Sequence, residues 1–199
     1  GGRNPIEYIV IHETANTRRG ANANAHGRLQ ASGNSRAASW HYTVDDKEAV
    51  QSFDDRDQCW HAGNRRYNER SIGIEICVNE GGNFKQAVAN AAELVRQLMR
   101  KYNVPASRVV QHNAASGKDC PRYLRNGSKG VKWAAFRRML DGKANTKPTP
   151  QKPSKPAKTT NKTKPKAGAR LTVDGKWGKD TTRALQRSLG TPVDGIISG

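Results

Sequence analysis

Apolar positions along the chain follow three kinds of pattern. Ile6-Glu7-Tyr8-Ile9-Val10-Ile11-His12 is a short, nearly continuous apolar run, which predicts a buried strand ending at His12. Ser71 to Val78 alternates, with Ile72, Ile74, Ile76 and Val78 on one face and Glu75 on the other, which predicts a second strand. Phe84, Val88, Ala91, Val95, Leu98 and Tyr102 recur at spacings of three and four, which predicts a helix with Asn83 as its N-cap and Pro105 beyond its end. His41 to Val44 and Ala49 to Phe53, joined by Asp45-Asp46-Lys47-Glu48, read as a hairpin. Arg108 to His112 is another short strand, and Trp133, Phe136, Met139 and Leu140 mark a last helix. Residues 17–31, rich in Ala and Asn, read either as a weak helix or as a long loop. Strands and helices mix, so the expected fold is α/β, a mixed central sheet flanked by helices.

Composition divides the chain into three parts. The 199 residues carry a net charge of +18, and residues 141–170 supply nearly half of that excess. Five of the nine prolines lie in the same stretch, which has no aliphatic side chain larger than alanine. Such a segment cannot bury enough surface to offset its ordering entropy, so it reads as an extended basic linker. The expected organisation is a folded domain at 1–141, a linker at 142–170 and a partial module at 171–199. In the last part, Val173-Asp174-Gly175 is echoed by Val193-Asp194-Gly195 twenty residues on, with a short helix between. No apolar run approaches a membrane span of roughly 18 residues. Three cysteines are too few for a disulfide scaffold. Cys59 and Cys77 read as buried thiols, with a disulfide between them left open. The chain starts Gly-Gly-Arg with no charged-then-apolar leader in view.

The candidate chemistry gathers at strand ends. His12 closes one apolar strand, His112 closes another, and Cys120 follows eight residues later. Two imidazoles and one thiolate leave a fourth position of tetrahedral zinc open, the arrangement of a catalytic rather than a structural site. Glu75, mid-strand among isoleucines, would have its pKa raised unless paired; composition alone favours a solvent-facing or Arg-paired Glu. Lys118, two residues before Cys120, reads on its own as an exposed loop lysine. Trp60 fits core packing and a substrate groove about equally, and His61 is a second groove candidate. Asn64 and Arg65 carry groups able to reach a carboxylate or a sugar. His41 reads as a buried strand histidine, and His26 as exposed or groove-lining.

Together, His12 at the end of the first strand, Ser71-Ile72-Gly73-Ile74-Glu75, Cys59-Trp60-His61-Ala62-Gly63, and His112 with Lys118-Asp119-Cys120-Pro121 resemble the type 2 N-acetylmuramoyl-L-alanine amidases. That family includes phage endolysins, bacterial autolysins and peptidoglycan recognition proteins. The resemblance covers about residues 5–140, and residues 171–199 resemble a peptidoglycan-binding repeat of endolysin tails. It implies one zinc held by His12, His112 and Cys120, Glu75 as general base and Lys118 as oxyanion stabiliser. The bond implied is the amide between N-acetylmuramic acid and L-alanine. His61, Trp60 and Asn64 are then the substrate-binding candidates. One feature departs from the pattern: some members carry Tyr just before the His of the second strand, where this chain has Trp40-His41 followed by Tyr42.

The partners expected are bacterial peptidoglycan and anionic wall polymers, with a monomeric catalytic domain. An endolysin made in the host cytoplasm and acting on the wall fits better than an exported autolysin, whose place would be extracellular or in the wall. A non-catalytic wall receptor is disfavoured because such relatives usually lack the thiolate ligand that Cys120 supplies. A nucleic-acid binder is suggested by charge alone. Aromatic residues are only 6% and much of the charge lies in the linker, so that reading is set aside.

Overall fold

The first apolar run forms strand β1, Tyr8–Glu13. It starts two residues later than the run because Ile6 takes φ 58°, a left-handed turn, while the Asn4 side-chain oxygen accepts the Ile6 N–H at 2.9 Å. The computed structural model describes residues 3–33 and 37–141 and the backbone of 176–177. After β1 come α1 (Ala23–Ala31), β2 (Tyr42–Val44), β3 (Ala49–Gln51), α2 (Arg65–Arg70), β4 (Ser71–Ile76) and α3 (Phe84–Tyr102). A single 3-10 turn at Ala106–Arg108 leads to β5 (Val109–Gln111), α4 (His112–Ser116), α5 (Arg122–Asn126), α6 (Trp133–Leu140) and β6 (Lys176–Trp177). Among the described residues, no helix is long and apolar enough to cross a membrane.

The sheet order is β5-β1-β4-β2-β3-β6. The first four strands run parallel, β3 turns back on β2, and β6 pairs antiparallel with β3. This is the mixed sheet with flanking helices that the sequence predicts. Because β1 and β4 are central, the alternation of their side chains sets two buried faces. Ile9 and Ile11 of β1 and Ile72, Ile74 and Ile76 of β4 point to one face. They share a single core with Val88, Ala91, Val95 and Leu98 of α3 and with Phe136 and Leu140 of α6. Each such aliphatic side chain contributes about 1.5–3 kcal/mol by leaving water. Asn83 caps α3 by accepting the Gln86 N–H, as its position predicts, and Asn103 ends the helix at φ 53°.

Several expectations are revised. Residues 17–31 divide into a loop and α1, whose first turn is capped by the Asn22 side chain accepting from Ala25. His112 opens α4 instead of closing a strand. Helices α2, α4 and α5 were not anticipated, since five or six residues are too few to display a 3.6-residue period. The solvent-facing placement that composition favours for Glu75 fails: its side chain is only 15% exposed. A central parallel strand is covered on both faces, so alternation in β4 does not mean one wet face. Cys59, Cys77 and Cys120 are all free thiols and buried. Residues 142–170 and the repeat at 171–199 lie outside the described residues, apart from 176–177.

Candidate active site

Strand register lines up the site. His12 of β1 sits opposite Glu75 of β4, and Glu75 opposite Thr43 of β2. On the other flank Ile11 pairs with Gln111, so His112 follows beside His12. These residues share the face opposite the isoleucines. One step back on that face, Val10 pairs with Gly73. A Cβ at Gly73 would come within 2.7–2.8 Å of the His61 ring, so the bare glycine is what lets that ring lie against β4.

His12 and His112 bring their Nδ1 atoms to 2.9 Å of each other. Their nitrogens and the Cys120 sulfur lie within 4.8 Å of one another, and all three residues are buried. Cys120 reaches the cluster because Asn113 N–H donates to its carbonyl and its Sγ lies 3.5 Å from the Glu13 backbone N–H. Glu13, which the sequence reading did not single out, anchors this loop. Its carboxylate accepts the Tyr123 and Leu124 N–H groups at 2.8 and 2.9 Å, capping α5 from another strand. Its only sequence signal is an acid directly after a strand-end histidine. The set of two nitrogens and one sulfur supplies three of the four donors of a tetrahedral ion and so fits zinc of catalytic type.

Burial governs the protonation of this cluster. The His12 imidazole is held well below its usual value by burial, then by His61, His112 and Lys118. His112 is lowered by burial and by Lys118, while its ring N–H bonded to the Ala62 carbonyl pulls the other way. Both rings are therefore neutral at pH 7, the form that binds a metal. Burial pushes the Cys120 thiol up to about 12, with Glu75 adding to the rise. Glu75 is pushed up to about 8 by burial, with Lys118 opposing and Glu13 adding. Its Oε1 is 4.0 Å from His12 Nδ1, and its Oε2 is buried with no hydrogen-bond partner. An unpartnered carboxyl oxygen beside converging ligands is the expected state of a group that awaits substrate or water.

The structure brings His12, His112, Cys120, Glu75 and Lys118 to one place, with Lys118 exposed at its edge. Of the three groove candidates, Trp60 and Asn64 border one groove and His61 lies apart from it. Trp60 is 67% exposed and leaves core packing aside. With Asn64 and Arg65 it borders an open groove of about 600 Å³. Asn64 spends its side-chain oxygen on capping α2, accepting from Arg66 and Tyr67. His61 is buried behind His12, with its Nδ1 2.9 Å from His12 Nε2. Arg65 pairs with Glu69 on the surface. His41 is fully buried, as expected, accepting the Gly73 N–H at 2.9 Å and donating to the Asp57 carbonyl at 3.1 Å. His26 is buried rather than exposed. Tyr42 hydrogen-bonds Asp55, away from the cluster, so it does not stand in for the family's tyrosine.

Comparison with known proteins follows the same lines. Residues 2–123 match the family described as N-acetylmuramoyl-L-alanine amidase. The chain is 41% identical over 152 residues to N-acetylmuramoyl-L-alanine amidase CwlH of Bacillus subtilis (strain 168), covering 75% of this chain and 58% of that relative. It is 43% identical over 137 residues to N-acetylmuramoyl-L-alanine amidase XlyA of the same organism, covering 68% and 44%. The chain thus spans about half the length of the curated relatives it matches. Among solved structures, the catalytic domain of XlyA superposes with a TM-score of 0.64 at 42% identity, over 70% of this chain and 89% of that one. The matched residues include β1, Glu75, His112 and Cys120, and on this evidence the chain belongs to the N-acetylmuramoyl-L-alanine amidase family.

Proposed function

We propose that this chain is an endolysin-type amidase that hydrolyses the amide joining the lactyl group of N-acetylmuramic acid to the L-alanine of the peptidoglycan stem. One observation carries the reading: His12, His112 and Cys120 aim their donor atoms at one point beside a buried carboxyl with an unpartnered oxygen. His12, His112 and Cys120 would hold the zinc, which when bound would supply Lewis-acid polarisation of the scissile carbonyl and a water nucleophile near neutral pH. Glu75 takes a proton from the attacking water and delivers it to the leaving nitrogen of L-alanine, so the products are a lactyl carboxylate and a free amine. Lys118, at the open edge, stabilises the oxyanion as the carbonyl carbon becomes tetrahedral. Trp60 borders the groove and offers a stacking surface to a sugar or stem peptide, and Asn64 lines the same groove. The basic stretch 142–170 links the catalytic domain to a wall-binding module at 171–199 and favours anionic wall polymers.

End-group analysis of purified cell walls tests the bond assignment. New L-alanine amino termini without new reducing sugars support the amidase. Binding to walls with no release of amino termini would leave a receptor instead.

A further inference from the structure

We propose that His61 and the Ala62 carbonyl form the positioning shell that fixes both histidine ligands in the tautomer whose Nδ1 carries a lone pair. This rests on the metal-site reading above and deepens it. A neutral imidazole has one N–H, and the partner of the other nitrogen decides where that proton sits. The chain of contacts behind His12 has a fixed direction. The Tyr67 carbonyl can only accept, so the Ser71 hydroxyl donates to it at 2.5 Å. The Ser71 oxygen is left to accept from His61 Nε2, 3.3 Å away. With its proton on Nε2, His61 presents a bare Nδ1 to His12 Nε2 at 2.9 Å. His12 therefore donates from Nε2 and keeps Nδ1 free.

His112 is set in the same way from the next residue. Its ring N–H bonds the Ala62 carbonyl, and since Nδ1 is turned toward His12, Nε2 is the donor. One clamp serves both contacts: the Asn68 side-chain oxygen accepts the N–H of His61 at 3.1 Å and of Ala62 at 2.8 Å. The outcome is two lone pairs meeting at Nδ1 and Nδ1, an arrangement that only a shared cation makes favourable. His61 thereby acts from behind the ligands and has no need to touch substrate.

Zinc affinity of the full chain, measured by competition with a chromophoric chelator, tests this with His61→Leu and His61→Asn. Asparagine keeps an oxygen acceptor near the place of Nδ1. We expect His61→Leu to bind zinc about 10–100-fold more weakly and His61→Asn to recover most of the loss. Parent-like affinity in His61→Leu would overturn the proposal. If that variant does not fold, nitrogen-15 ring spectra of the zinc-loaded parent decide: a proton on His61 Nε2 supports it, and a proton on Nδ1 overturns it. A parent that binds no zinc removes the metal reading as well. A parent that binds zinc and cleaves walls, beside an indifferent His61→Leu, removes the positioning role alone.

Discussion

The two faces of the central sheet are both buried, yet they are held by opposite means. On one, Ile9, Ile11, Ile72, Ile74 and Ile76 share an apolar cluster with α3 and α6. On the other lie polar groups: His12 and His61 meet at 2.9 Å, His41 accepts the Gly73 N–H, and the half-buried Glu75 carboxyl stands 4.0 Å from His12. The first face gains stability from area removed from water. The second gives some of that up, since desolvating ionisable groups is costly, and obtains a neutral, oriented donor set in return. One pair of strands supplies both, because neighbouring residues point to opposite sides. Stability and chemistry are thereby separated by a single residue step.

Substitutions should divide along that line. The largest effect is expected at the polar face: Glu75→Ala should lower the rate by about 10²–10⁴-fold while zinc stays bound, as checked by muropeptide release and metal analysis. Cys120→Ser should lower zinc content and activity together, which separates a ligand from a base. On the aliphatic face, Ile74→Ala should cost about 2–5 kcal/mol in denaturant unfolding with the zinc-binding residues still in place. Gly73→Ala tests the boundary between the two. Its new methyl would press on the His61 ring, and chelator competition should show weaker zinc binding although no ligand is altered.

The smallest and most diagnostic effect is on the pH dependence of the metal-free chain. The folded pKa values of His12, His61, His41 and His112 are lowered, chiefly by burial. Below their unfolded value of about 6.5 the unfolded state binds more protons, so stability falls as pH drops through that value. Glu75 is raised to about 8 and acts in the opposite sense: its contribution is present below the ordinary carboxylate range and is lost as pH rises toward 8. Glu75→Gln should therefore flatten the alkaline side of the stability profile and leave the acid side in place. Unfolding in chelator at pH 5.5, 7 and 8 checks both signs.

Much of the first face was legible in the sequence, and less of the second. The isoleucine alternation and the α3 repeat are periodic signals, and periodicity reads directly as a face. Asn83 was legible because a cap sits one step before a repeat. The grouping of His12, His112 and Cys120 was legible as residue types near strand ends and through the family resemblance. The chain alone did not say that His61 lies behind His12 instead of in a groove, because that contact spans 49 residues and depends on the missing Cβ of Gly73. Nor could it show Glu13 capping α5 across 110 residues. Glu75 was misjudged by composition because alternation looks the same whether the second face meets water or a layer of histidines.

The most direct test of the account is the zinc content of the purified chain, with release of L-alanine amino termini from cell walls followed before and after chelation. The account predicts one zinc per chain, release that stops on chelation and returns with added zinc. A metal-free chain that cleaves walls at an undiminished rate would contradict it, and His12, His112 and Cys120 would then be structural residues of the sheet edge.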